Sequence, residues 1–207
     1  MSSREYVLDQ VRRNQPAATA LPAIPAFDRP GLDLVAAFAE ALARMGGSYV
    51  ETPAKQSLDS FLFERYATAL VICSATPEVR GTRAIETVAD PRELEAVDVG
   101  VVRAAFGIAE TGSVWLSERE LGVNALGFLS QHLVVLLDPR SIVPDLHHAY
   151  RQPGFFEARY AVLMTGPSAT ADIEGVLIRG AQGIRTLTVV AAPAELTTTT
   201  VRPRRTA

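Results

Sequence analysis

The chain has 207 residues with 20 Lys plus Arg against 23 Asp plus Glu, and its formal net charge of −3 leaves no electrostatic footprint for nucleic acid. That length holds one full domain with a short extension rather than two domains, and the 48% hydrophobic and 21% charged composition is that of a globular protein. One cysteine, Cys73, excludes an internal disulfide framework and provides too few thiols for an iron–sulfur cluster. No apolar run nears the roughly 20 residues that span a bilayer, and the N-terminal segment MSSREYVLDQVRRNQP is charged throughout, so a cytoplasmic protein with no membrane span is expected.

In chain order, Val7, Leu8 and Val11 recur at helical spacing, which predicts a short amphipathic helix over residues 3–15 with Ser3 as its cap. Pro16, Pro22, Pro25 and Pro30 then make an extended connector. Its reach allows it to lie across the domain or touch a neighbouring subunit, so a homo-oligomer is among the arrangements it permits. Residues 1–30 are therefore read as helix plus connector, 31–196 as an α/β domain, and the Thr- and Arg-rich 197–207 as a mobile tail.

Within the domain, the Ala- and Leu-rich stretch 32–45 predicts a helix that Gly46-Gly47 stops, followed by a short strand over 48–51. A helix over 58–66 precedes a buried strand over 69–73, in which Cys73 is a small core residue. Residues 97–102 read as a strand. Thr111-Gly112 then turns the chain before Val114-Trp115-Leu116, placing Glu110 at a strand–turn–strand junction in an apolar neighbourhood. A carboxylate there must be solvated, paired or functional, because burying it alone is prohibitive. Residues 133–137 form the clearest buried strand, a helix is expected over 143–151, and 187–191 closes the sheet. His147 and His148 sit on that helix about 100° apart, so they do not form an i, i+4 metal pair.

The stretch 163–180 changes from strand to helix chemistry. An apolar run ends at Met164, Gly166-Pro167 turns, and Ser168 and Thr170 are placed to cap a helix whose first turn holds Asp172 and Glu174. Such a helix start offers donors to a phosphate or carboxylate. It is not a P-loop: the G-x-x-x-x-G-K-[ST] spacing is absent, and Lys55 is the only lysine. Alternating strands and helices predict a three-layer α/β/α fold with a mostly parallel sheet and one antiparallel pair at Glu110. Ligands of such sheets bind beyond the carboxyl ends of strands, so one cleft is expected to hold both Glu110 and the Ser168 loop.

Two segments, Ile108-Ala109-Glu110-Thr111-Gly112-Ser113 and Gly166-Pro167-Ser168-Ala169-Thr170-Ala171-Asp172-Ile173-Glu174, together resemble the lactate-utilisation (LUD) domain family. The resemblance covers about residues 31–191. It implies a fold similar to the NagB/RpiA/CoA-transferase group and membership of a system of three proteins that oxidises L-lactate to pyruvate. In that system the iron–sulfur centres belong to partner subunits, in agreement with the lone cysteine. Ser113 stands where the family has threonine, and Gln182 stands where many members have histidine. The candidate site is Glu110 as catalytic residue, with Thr111, Gly112, Gly166, Ser168, Thr170, Asp172 and Glu174 binding a small anion; no metal site is read, and the cofactor is not identified. Three functions stay open: a lactate-oxidation subunit, a stand-alone acyl transferase or hydrolase of the CoA-transferase type with Glu110 as nucleophile, and a non-catalytic metabolite-binding protein.

Overall fold

The longest apolar runs become the middle of a six-stranded parallel sheet in the computed structural model, which describes residues 2–17, 19–20, 22, 25, 27, 29–52, 56–173 and 176–193. Its strands are β1 (Ser48–Glu51), β2 (Ile72–Ser74), β3 (Arg83–Ala84), β4 (Val99–Arg103), β7 (His132–Leu137) and β12 (Thr186–Ala191), in the order β1-β12-β7-β4-β2-β3. Every neighbouring pair is parallel. Parallel sheets are covered on both faces, which is why the strand over 133–137 is continuously apolar. One face packs Leu133, Val135 and Val189 against Phe38 and Leu42 of α2 (Leu34–Arg44) and Leu126 of α5 (Leu126–Leu129). The other packs Val99, Val101 and Val134 against Leu62 of α3 (Leu58–Arg65). Helices on both faces of a largely parallel sheet are the predicted α/β architecture.

Helix α2 starts where Asp33 accepts the Val35 and Ala36 N–H groups, both at 3.0 Å. The N-terminal helix α1 (Ser3–Arg13) is closed by a reciprocal Ser2–Glu5 capping box, so Ser2 rather than Ser3 is its cap, and none of its residues is buried.

A second sheet lies beside the first, built from β5 (Phe106–Ile108), β6 (Ser113–Ser117), β8 (Ile142–Val143) and β9 (Ala161–Met164), in the order β8-β5-β6-β9. The antiparallel hairpin at Glu110 belongs here and not to the central sheet. Alternation along β6 explains the placement. Val114 and Leu116 enter the main core, while Trp115 turns into a separate cluster with Phe106, Ile108 and Ala149.

Two predicted helices are corrected. The stretch after Ser168 is a hairpin of β10 (Ala169–Ile173) and β11 (Val176–Arg179), with Thr170 opposite Ile178 and Ile173 opposite Val176. Residues that cap helices also suit turns, and the β-branched side chains at these paired positions favour strands. The second helix is shorter than predicted: Ile142-Val143 is strand β8, and α6 spans only Leu146–Ala149, capped by Asp145. Glu174, Lys55 and the tail 197–207 lie outside the described residues.

Candidate functional site

Glu110 is delivered to its place by the second sheet. Beyond β5 the chain keeps its pairing, with the Ala109 N–H donating to Val143 O at 2.9 Å and the Glu110 N–H to Pro144 O at 3.0 Å. This sets the Glu110 side chain beside the start of α6, where Oε2 accepts the Leu146 N–H at 3.2 Å. The residue is exposed, so its charge is solvated rather than buried.

Glu110 lines a hollow of about 290 Å³ with Phe27, Arg29, Leu32, Pro144, Asp145 and His147. Phe27, from the proline-rich connector, stacks on the His147 ring with centroids 5.2 Å apart. Asp145 is buried, and its Oδ1 accepts the His148 backbone N–H at 2.9 Å and lies 2.8 Å from His148 Nδ1. Burial pushes the Asp145 carboxyl up, but the hydrogen bonds from the His148 ring and backbone outweigh it and hold the group below its ordinary value. The hollow thus combines a guanidinium, an imidazole, two carboxylates and an aromatic ring. That set suits a small ligand carrying both an anionic group and hydroxyls.

The other sequence-derived residues divide. β6 and β9 pair antiparallel, and Ser113 Oγ hydrogen-bonds Thr165 Oγ1, so the end of the first motif segment reaches the residue just before the second. Thr111 Oγ1 donates to Ser113 Oγ at 2.8 Å. Gly112 and Gly166, with φ of +68° and +70°, lie against α2: a Cβ at Gly112 would stand 2.2 Å from Leu42 N, and one at Gly166 2.4 Å from Met45 O. Ser168 donates its N–H to Ile184 O at 3.0 Å, its carbonyl accepts from Gly180, and it lines a separate hollow with Phe128, Met164 and Gly183. Thr170 is exposed on β10, Asp172 lies on the same strand, and Glu174 is outside the described residues. Glu110 and Ser168 therefore line different hollows. Both follow strands of the second sheet, so the strand-end rule for parallel sheets does not reach them.

That rule selects another place. The chain runs from β2 outward to β3 and returns to β4 on the opposite side of β2, which makes the β2/β4 boundary the point where strand order reverses. Beyond those strand ends lie Thr76, Glu78 and Arg103, which the sequence reading passed over. Arg103 closing the apolar run VGVVR was a visible signal. Phe27, Arg29 and His147 were also not named as site residues, and nothing local joins the connector to α6.

A mostly parallel sheet between helices, with one hollow at Glu110 and another at its reversal point, defines the chain as a protein of the α/β class. More narrowly, the chain belongs to the LUD domain family, whose model matches residues 47–191. It is similar to the uncharacterised protein YkgG of Escherichia coli, at 30% identity over 97 residues, 44% of this chain and 42% of that protein. An uncharacterised protein of Neisseria meningitidis serogroup B is 30% identical over 118 residues, 52% of this chain and 51% of that one. The chain spans about half the length of the curated relatives it matches. The crystal structure of a DUF162 family protein from Deinococcus radiodurans has the same fold, with a TM-score of 0.58 and 18% identity over 77% of this chain and 96% of that one. Among the described residues no helix is long and apolar enough to cross a membrane, and no group of three or more His, Cys, Asp or Glu side chains is placed to hold a metal ion.

Proposed function

We propose that this chain is a subunit or accessory protein of a cytoplasmic L-lactate utilisation system and that it holds a small anion or cofactor fragment in the hollow at Glu110. The LUD family is associated with lactate utilisation, and the two motif segments resemble those of lactate utilisation protein C. In this reading iron–sulfur partner subunits carry the electrons, and this chain positions what they act upon. Arg29 takes the ligand's negative group, Glu110 accepts from its hydroxyl, and the stacked Phe27 and His147 cover it. The motif residues Thr111 and Gly112 build the turn that presents Glu110. Ser168, Thr170 and Asp172 extend the reading to the β9–β10 side of the molecule.

The observation that carries the proposal is a solvent-accessible carboxylate sharing a hollow with an arginine and a histidine. One further fact favours a second reading. Glu110 Oε1 has no hydrogen-bond partner among the described residues, as a carboxylate nucleophile of a CoA-transferase-like acyl transfer requires.

The test is Glu110→Gln, which keeps an oxygen for the Leu146 N–H and removes the charge. The variant should melt within about 2 °C of the parent, because an exposed site contributes little to stability. L-lactate oxidation reconstituted with the iron–sulfur partners should fall by roughly tenfold or more, the loss of one charged contact. Full activity in a stable variant would remove Glu110 from the site. Treatment with acyl-CoA and hydroxylamine separates the second reading, since only an acyl-glutamate would leave a hydroxamate on the Glu110 peptide.

A further inference from the structure

We propose that the crevice beyond the carboxyl ends of β2 and β4 is a binding site for a small organic monocarboxylate, held by Arg103 and Arg119 over an alanine-rich floor. The site shares no lining residue with the hollow at Glu110 and does not depend on it.

The crevice has a volume of about 430 Å³ and is lined by Ala75, Thr76, Pro77 and Glu78 on the β2 side and by Arg103, Ala104, Ala105, Arg119 and Glu120 on the other. Its position follows from the topology: within the sheet, successive connections leave β2 and β4 in opposite directions, so their loops diverge and leave a crevice among the described residues. The chain fixes its polar groups firmly. Ser74 Oγ donates to Thr76 O at 3.0 Å and accepts the Thr76 N–H at 3.3 Å, which shapes the loop. Thr76 Oγ1 then donates to Glu78 Oε2, and Glu78 Oε1 accepts from Arg103 Nε. Arg103 Nη1 donates to Ala192 O at 2.9 Å, just past β12.

This network uses both Glu78 oxygens and two Arg103 nitrogens, and it leaves Nη2 as the guanidinium nitrogen with no protein partner among the described residues. The Glu78 side chain is only 8% exposed and that of Arg103 23%. Taking such a pair out of water is rarely repaid in stability, and apolar side chains of the same size would end these strands at least as well. A charged pair kept at the reversal point of the sheet, with a donor to spare, is accounted for by a ligand that uses the donor. Glu78 is a positioning residue: it fixes the plane of the guanidinium.

The uncommitted hydrogen-bond donors give the ligand's sign. Glu120 Oε2 is occupied in capping α4 (Glu118–Leu121), accepting the Ser117 N–H at 2.7 Å and its hydroxyl. Among the described residues Arg119 makes one ion pair, a 3.8 Å contact with Glu157 in which both side chains are more than 60% exposed, and its charge also acts on the nearby Glu118. Two guanidinium groups thus have donors to offer an anion. The remaining wall, Ala75, Pro77, Ala104 and Ala105, is apolar and short, which suits a hydrocarbon tail of a few carbons rather than a bare inorganic ion.

The test is an amide NMR titration of the full chain with sodium formate, acetate, propionate and butyrate at ionic strength fixed by sodium chloride, with sodium phosphate in parallel. Saturable shifts are expected at Ala75, Ala104 and Ala105. Affinity should rise about fourfold per added methylene from acetate to butyrate, as burial of CH₂ on the floor requires, and phosphate should bind more weakly. Ala105 is exposed, so Ala105→Phe fills the crevice without touching the core and should abolish the shifts. Arg119→Gln should weaken binding roughly tenfold, the loss of one charged hydrogen bond. Glu110→Gln should leave the titration unchanged, which separates this site from the other. Shifts that do not saturate, equal affinity along the acid series or for phosphate (an adventitious ion only), or binding retained in Ala105→Phe would each overturn the proposal.

Discussion

Arg103 and Glu78 show how one residue's cost depends on its partner. With Arg103→Met the Glu78 carboxylate keeps only the Thr76 hydroxyl, and its charge stays mostly buried. Breaking such a pair costs about 3 kcal/mol, the low end of the usual range because the guanidinium is partly exposed, and at about 2–4 °C per kcal/mol the Tm should fall by roughly 6–12 °C. Adding Glu78→Leu should restore most of it in the same thermal melt; no recovery would mean that Arg103 stabilises by packing alone. His132 gives a pH prediction. Its ring lies against Tyr66, its Nδ1 is 2.8 Å from Thr186 Oγ1, and burial first, then the Arg185 charge, lower its pKa, with Asp98 opposing. A histidine depressed in the folded state contributes its full stability above the unfolded value near 6.5. As pH falls below about 6.5 the unfolded chain takes the proton first, and stability declines until the folded pKa is passed. Melting curves between pH 7 and 5 should therefore fall less steeply for His132→Gln than for the parent, and identical slopes would refute this.

At the scale of elements, the β5–β6 turn and the β9 loop are set by how closely they approach α2. Gly112 and Gly31 share a positive φ, +68° and +81°, but a Cβ at Gly112 would collide with the Leu42 backbone while one at Gly31 would meet nothing within 4 Å. Gly31→Ala should cost about 1–2 kcal/mol, the strain of the left-handed conformation alone. Gly112→Ala adds overlap with main chain that has no room to move, so denaturant unfolding should show a loss larger by at least roughly 2 kcal/mol, or no folded protein. Equal losses would show that α2 shifts freely. The same elements explain what the sequence disclosed. Strands β4, β7 and β12 were legible because burial on both faces writes itself as an unbroken apolar run. The β10–β11 hairpin was not, since Thr170 and Ile178 declare themselves strand residues only as cross-strand partners, whereas Ser168 read alone is a helix cap. Glu110 was legible as a polar residue at an apolar turn. The Arg103–Glu78 pair was hidden because its members are 25 positions apart and meet only through the β2–β4 pairing.

On the scale of the whole molecule, the family match and the folding unit do not begin at the same residue. The match starts at residue 47, yet Phe38 and Leu42 of α2 are 0% exposed in the core that the central sheet shares with β6. Each buried side chain of that size contributes about 1.5–3 kcal/mol, so α2 belongs to the domain although it precedes the match. α1 is different: it buries nothing. The connector between them supplies Phe27 and Arg29 to the hollow at Glu110, and both of these residues are exposed. A pair of truncations separates these roles. Removing residues 1–30 should leave a cooperative thermal transition within about 3 °C of the parent, because none of the described residues in that span is buried. On the proposed function, L-lactate oxidation reconstituted with iron–sulfur partners should nevertheless fall about tenfold or more, since the hollow loses Arg29 and Phe27. Removing residues 1–46 strips Phe38 and Leu42 as well and should abolish cooperative unfolding. If the shorter truncation already unfolds, the connector is part of the core and the boundary lies before residue 31. If it folds and oxidises lactate at the full rate, Arg29 and Phe27 are not ligand contacts, and the hollow at Glu110 must be read without them.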